Sequence, residues 1–152
     1  MPHTFVTLVA AVLGLLSVLA APVFAAGTED TATETTASAY DEAKAMVTAE
    51  NFVAALPALL ALTAEDPSSA DAWNLLGYTH RKLDQLGESA VAYTTALTLN
   101  PDHLGALEYQ GELFLQTGQP DLAKANLARL QGLCGDCEEY QDLAEAVLAA
   151  GA

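Results

Sequence analysis

The chain has 152 residues, with 20 Asp and Glu against 5 Lys and Arg, so its net charge is −15; hydrophobic residues make up 52% and charged ones 16%. The acid excess excludes nucleic acid and anionic lipid as partners, because both require a basic face that neutralises phosphate. The apolar content excludes disorder throughout, two cysteines are too few for a disulfide framework, and the length gives one domain with a real core.

The first element is a targeting segment. Phe5 to Leu19 reads FVTLVAAVLGLLSVL, an uncharged apolar run followed by Pro22 and the small-residue site Val23-Phe24-Ala25. This predicts a signal peptide over residues 1–25, cleaved near Ala25, and a periplasmic or secreted mature chain. The preceding Met1-Pro2-His3-Thr4 carries no Lys or Arg. An uncleaved anchor is the alternative, since Phe5 to Ala26 is about long enough to cross a bilayer. No later apolar run approaches that length, so no membrane contact is expected after cleavage. Residues 26–38, ending GTEDTATETTAS, hold no large aliphatic or aromatic side chain. They cannot bury enough surface to offset chain entropy, which predicts a flexible acidic leader serving as spacer or tether.

From 39 to 150 the apolar residues follow helical spacing, and breakers recur at a fixed distance: Pro67 and Pro101 stand 34 residues apart. The prediction is an all-α chain of helix-turn-helix repeats at about 39–67, 70–101 and 103–132, closed by a helix at about 137–149, seven helices in all. In the central copy Gly77 lets two antiparallel helices approach, because a side chain there would hold them apart. Trp73, Leu76, Leu83, Tyr93 and Leu97 line the inner faces of that pair. Asp84 to Gly87 forms its turn, and Asn100-Pro101-Asp102 ends it, with Asp102 as the N-cap of the next helix.

These residues carry a resemblance. Trp73, Leu76-Gly77, Tyr93, Ala96 and Pro101 fall where the tetratricopeptide repeat family has its large opening residue, its Leu-Gly pair, its second aromatic, its Ala and its terminal Pro. His80 and Ser89 stand where the family has an aromatic and a small residue. The third copy repeats the pattern with Leu107, Gln110-Gly111, Phe114, Ala123 and Leu127, stopping its first helix at Gly118 just before Pro120. The first copy is degenerate, with Ala39, Ala43, Met46, Ala55, Leu59 and Pro67, as a terminal repeat should be, and Pro57 should bend its second helix. Asp136 with Glu139 forms a capping box for the last helix, whose stripe of Leu143, Val147 and Leu148 should cover the open end of the third repeat.

Cys134-Gly135-Asp136-Cys137 is the one constellation that could carry chemistry. A thioredoxin-type dithiol needs a strand before the first cysteine, and here a helix precedes it. A metal site needs two further soft or imidazole ligands. In an oxidising compartment a structural disulfide between Cys134 and Cys137 is the expectation. A Cu or Zn site, or thiol exchange, at this pair is the alternative function. His80 reads as a packed imidazole. No hydrolase elbow, zincin, P-loop or dinucleotide fingerprint occurs, so a non-enzyme without catalytic residues, cofactor or bound metal is expected.

The resemblance also implies a function. Stacked repeats curve so that the first helix of each pair lines a concave wall, and the family binds peptide or protein segments there. Its groove positions fall on Tyr40 and Lys44 in the first copy, Asn74, Tyr78 and Arg81 in the second, and Glu108, Glu112 and Leu115 in the third. The Lys and Arg set by which some members clamp a C-terminal carboxylate is missing. The aromatic residues suit an extended or helical segment, and Glu108 with Glu112 favours a basic group in it. The expectation is a monomeric, non-catalytic interaction module.

Overall fold

A computed structural model describes residues 29–152; the apolar segment at 5–19 and its cleavage site lie outside them. Seven helices follow in order: α1 Glu29–Thr48, α2 Phe52–Glu65, α3 Ala70–Lys82, α4 Leu86–Leu99, α5 Leu104–Gln116, α6 Pro120–Cys134 and α7 Glu138–Ala149. No strand occurs among the described residues. None of these helices is long and apolar enough to cross a membrane.

The turns repeat with the sequence period. Glu50, Asp84 and Gly118, spaced 34 residues apart, all adopt left-handed backbone, with φ of 56°, 60° and 73°. One residue on, the amides of Asn51, Gln85 and Gln119 donate to the carbonyls of Met46, His80 and Phe114 at 2.9, 2.9 and 2.7 Å. The first helix of every pair therefore ends in the same Schellman-type cap. The shared geometry aims each second helix back along its partner.

Helix starts depart from the sequence reading in three places. The N-cap of α5 is His103, whose Nδ1 accepts from the Ala106 amide at 3.1 Å, while Asp102 is exposed. An imidazole can do this because an Asn-Pro-Asp turn places it one residue nearer the helix. Nε2–H then donates to Asp71 Oδ1 at 2.9 Å, tying α5 to the first turn of α3. Asp136 does not cap α7. Cys137 occupies that position, and Gln141 Nε2 reaches back to Asp136 Oδ1 at 3.0 Å. Gly87 belongs to the first turn of α4, so the α3–α4 turn is only Leu83–Gln85.

One further difference concerns the first repeat. Residues 29–38, expected as a leader, are helical. Once Ala43 and Val47 are packed, extending a helix N-terminally through Ala and Glu costs no new nucleation. Helix α2 is continuous through Pro57, whose side chain is exposed.

The close approaches lie where the glycines are. A methyl carbon at Gly77 would stand 2.6 Å from Cδ1 of Tyr93, itself fully buried, and one at Gly111 would stand 2.6 Å from both Cδ atoms of Leu143 on α7. Ser89 Oγ donates to the Gly77 carbonyl at 2.8 Å, so the small residue of α4 also satisfies a buried acceptor. Around these contacts sit two apolar clusters. Ala43, Val47, Leu59, Leu62 and Leu76 unite α1 to α3, and Leu107, Ala123, Leu130, Leu143 and Val147 unite α5 to α7. Leu76 is 2% exposed, while Trp73 is half-buried and donates from Nε1 to the Pro67 carbonyl at 3.0 Å. His80 is buried as expected, its Nδ1 2.6 Å from Gln85 Oε1.

Curvature follows from which helices touch. Helix α3 packs against both α1 and α5, and α5 against α7, whereas α2 and α4, or α4 and α6, have no Cα atoms within 8 Å of each other. The second helices splay and the first helices close up. The inner wall is therefore built from α1, α3, α5 and α7.

Candidate functional site

An α-helix presents neighbouring positions on one face three and four residues apart, so the inner wall is read along each of these four helices. On α3 it carries Asn74, Tyr78 and Arg81. On α5 it carries Glu108, Tyr109 and Glu112.

Tyr78 is the hub. Its ring centroid lies 4.8 Å from that of Tyr109 and 6.0 Å from that of Phe52, and Tyr109 in turn lies 6.5 Å from Tyr93. An aromatic row thus crosses from the start of α2 over α3 to α5. The guanidinium of Arg81 stands 5.4 Å from the Tyr78 centroid and 5.9 Å from that of Tyr109, and Lys82 stands 5.8 Å from Phe52 and 5.7 Å from Tyr78. Both cations lie within cation–π range of ring faces. Arg81 Nη2 also donates to Glu112 Oε2, an ion pair joining the second repeat to the third.

Beyond that pair the wall turns acidic. Glu108 is only 6% exposed. Its carboxyl is pushed up to about 8, first by burial and then by Glu112, Asp142 and Glu139, with Arg81 opposing. Tyr109 rises to about 12, again first by burial and then by Glu108. Tyr40 on α1 is raised by burial and by Asp71 and Asp41. These shifts record apolar surroundings and like charge at the inner wall.

Of the residues singled out from sequence, Tyr78, Arg81, Glu108 and Glu112 come together. Asn74 sits where α3 meets α5, its Nδ2 3.3 Å from where a methyl carbon on Gly105 would be. Tyr40 is half-buried against the first apolar cluster, and Lys44 is exposed without joining the aromatic row. Leu115 packs against the second cluster, so its side chain belongs more to the core than to the wall. Sequence reasoning missed Phe52, Lys82, Tyr109, Glu139 and Asp142. A signal for one of them was present: one 34-residue step from Glu108 lands on Asp142.

Cys134 and Cys137 are joined by a disulfide, their Cα atoms 5.6 Å apart. Cys134 closes α6 and Cys137 precedes α7, so the bond spans the connection between them. Among the described residues no group of three His, Cys, Asp or Glu could hold a metal ion.

Residues 40–93 and 78–134 match a family model described as tetratricopeptide repeat. No curated protein matches the chain. Among solved structures it resembles the type III secretion chaperone SycD of Yersinia enterocolitica in complex with a peptide of the translocator YopD, at 19% identity and a TM-score of 0.67, over 77% of this chain and 89% of that one. It resembles the first TPR of Spaghetti (RPAP3) bound to the HSP90 peptide SRMEEVD at 13% identity and a TM-score of 0.69, over 78% and 95%. MamA from Desulfovibrio magneticus RS-1 follows at 22% identity and a TM-score of 0.61, over 64% and 55%. At these identities the likeness is one of fold.

Proposed function

The chain belongs to the tetratricopeptide repeat family, and from that premise we propose that it is a non-catalytic adaptor holding a segment of another protein against the inner wall of α3, α5 and α7. The observation that carries this reading is the aromatic row from Phe52 through Tyr78 to Tyr109, with cations and carboxylates fixed beside it. Aromatic faces give a segment large contact area at small entropic cost, and the charges around them set its register. Structures of similar fold are bound to peptides, one from YopD and one from HSP90. The HSP90 peptide SRMEEVD is acidic at its end. Here Arg81 is engaged by Glu112 and the part of the wall on α5 and α7 is acidic, so the partner proposed for this chain is basic instead.

We place the adaptor outside the cytoplasm. The apolar run at 5–19, the site at Ala25 and a disulfide at Cys134 and Cys137 support that compartment together. N-terminal sequencing of the mature protein should begin at or just after Ala26. A chain retaining Met1 in the cytosolic fraction refutes the placement.

Site-specific photo-crosslinking in the native cell tests the groove. A benzophenone side chain at Tyr78 should capture a discrete partner band. One at Val91 on α4, 65% exposed on the outer side, should not. Capture from Val91 alone would put the working surface on the wrong face.

A further inference from the structure

The feature left unexplained by the aromatic row is Glu108. The residue is 6% exposed, no hydrogen bond or ion pair reaches its carboxyl among the described residues, and its oxygens keep an opening to solvent. A buried carboxylate without a partner is costly, and folding tolerates one rarely without use. Arg81 acts on it only through space, forming no hydrogen bond with it, although the Arg81 Nε is itself buried without a partner. Arg81 is bound to Glu112 and stands against the faces of Tyr78 and Tyr109.

What surrounds Glu108 is more negative charge. Glu112 lies one turn on along α5, and Asp142 and Glu139 face it from α7. Asn74, Glu108 and Asp142 occupy the same register in three successive first helices, each 34 residues from the last. Helix α7, expected only to cover an end, therefore also continues the inner wall. Leu143 and Val147 dock it on the core, and the adjoining Glu139 and Asp142 extend the acidic surface.

Resting on the groove reading above, we propose that α5 and α7 together form a seat for one cationic side chain, arginine or lysine, of the bound segment, with Glu108 at its floor and Glu112, Glu139 and Asp142 at its rim. An incoming cation supplies the partner that Glu108 lacks, and several carboxylates around one charge suit the many donors of an ammonium or guanidinium. A bare metal ion fits less well. Among the described residues no three ligating side chains converge tightly enough for one, and a long side chain can reach carboxylates that an ion cannot bridge.

The seat makes binding pH-dependent in a defined direction. Among the described residues, the charged and titratable groups acting with Glu108 are Glu112 on its own helix, Asp142 and Glu139 on α7, Arg81 on α3, and the Tyr109 hydroxyl, which stays protonated near neutrality. The cation binds the ionised carboxylate, which dominates only above about 8. Affinity should rise by up to about tenfold per pH unit from 6 to 8 and level off above.

The test uses carboxyl-detected NMR on the folded chain, with N-acetyl-arginine methylamide and N-acetyl-lysine methylamide as probes and N-acetyl-citrulline methylamide as the neutral control. At least one cationic probe should shift the Glu108 carboxyl resonance while the citrulline probe leaves it in place. Its affinity should fall at least fivefold in Glu108→Gln. It should fall at least twofold in Asp142→Asn, an exposed position where folding is not at stake. Equal binding of the neutral probe, no response from either cation, or a larger response to calcium chloride would overturn the seat. A partner crosslinked through Tyr78 and held equally well by Glu108→Gln would overturn the seat and leave the groove standing. Absence of any inner-wall crosslink would instead remove the groove itself.

Discussion

Replacing Gly77 by Ala probes the packing on which the inner wall depends. The new methyl carbon would lie 2.6 and 2.7 Å from Cδ1 and Cε1 of Tyr93, where carbon atoms prefer about 3.5–4.0 Å. Close to 1 Å of separation must be found. The Tyr93 ring cannot supply it by changing rotamer, because the side chain is fully buried and lies beside Tyr109. Helices α3 and α4 must part instead, which stretches the 2.8 Å hydrogen bond from Ser89 Oγ to the Gly77 carbonyl. Overpacking costs about 1–3 kcal/mol and the strained hydrogen bond about 1, while the better helix propensity of Ala returns about 1. The net expectation is a loss of about 1–3 kcal/mol.

Two other glycines calibrate that number. At Gly111 the clash distance is the same 2.6 Å, but the atoms met are the methyl ends of Leu143, which can rotate away. Its substitution should cost about 1 kcal/mol less than that at Gly77. At Gly87 nothing lies within 4 Å, so Ala there should be neutral or stabilising by up to about 1 kcal/mol. Thermal unfolding followed by circular dichroism reads the series, at roughly 3–5 °C per kcal/mol for a chain of this size. If Gly77→Ala melts with or above the unsubstituted protein, or below it by no more than Gly111→Ala does, the steric account of the α3–α4 contact is wrong.

Three further outcomes follow from the same geometry. Glu50→Gly and Asp84→Gly relieve left-handed strain that Gly118 already avoids, so each should raise stability by about 0.5–1 kcal/mol, the glutamate more, since Asp tolerates that region better; a drop in denaturant midpoint for either would contradict the shared-cap geometry. The Cys134–Cys137 bond closes a loop with a sequence separation of 3, for which chain entropy gives only about 2 kcal/mol; reduction should lower the melting temperature by several degrees and leave the helical spectrum intact, and complete unfolding would assign the bond a larger role. Glu108 keeps its proton in the fold up to about 8, against an ordinary 4.5, so its contribution to stability is full below about 4.5 and disappears as pH rises through 8. Glu108→Gln should therefore match the unsubstituted protein near pH 5 and exceed it by about 1–2 kcal/mol at pH 9, discounting for residual solvent contact; a difference that does not change with pH would refute the burial argument.

The legible part of this chain is the part that packs. Gly77 and Tyr93 could be paired from sequence because a 34-residue period places them on facing helices and only one of the two can carry a side chain there. The turns were legible to within a residue or two for the same reason. Helix starts were harder. Asp102 and Asp136 are strong cap formers by type, yet His103 and Cys137 took the positions, because local turn geometry outweighs a preference worth about 1 kcal/mol. The helix over residues 29–38 was hidden because they have no apolar periodicity to betray one. At the inner wall, Tyr78, Arg81, Glu108 and Glu112 came from registering the copies, whereas Tyr109 was passed over as the neighbour of a chosen residue. Helix α7 was read for its apolar stripe alone, and its acidic face went unread although the period pointed to it.

That acidic face is the harder fact to account for by folding alone. In each of α3, α5 and α7 the inner wall has two adjacent registers: Asn74, Glu108 and Asp142 in one, and Leu75, Tyr109 and Leu143 in the next. The second register is apolar throughout, with Leu143 fully buried and both Leu75 and Tyr109 half-buried, and it joins each first helix to its neighbours. The first register is polar throughout and contributes no apolar contact to either cluster. A hydrophobic residue at Glu108 would remove a desolvated carboxyl and the repulsion from Glu112, Glu139 and Asp142, and stability alone would favour it. Local departures from what packing prefers concentrate where a protein works. Here the departure is periodic, so it belongs to the surface the repeats jointly display, and an occupant bringing positive charge is the one that would turn its cost into affinity.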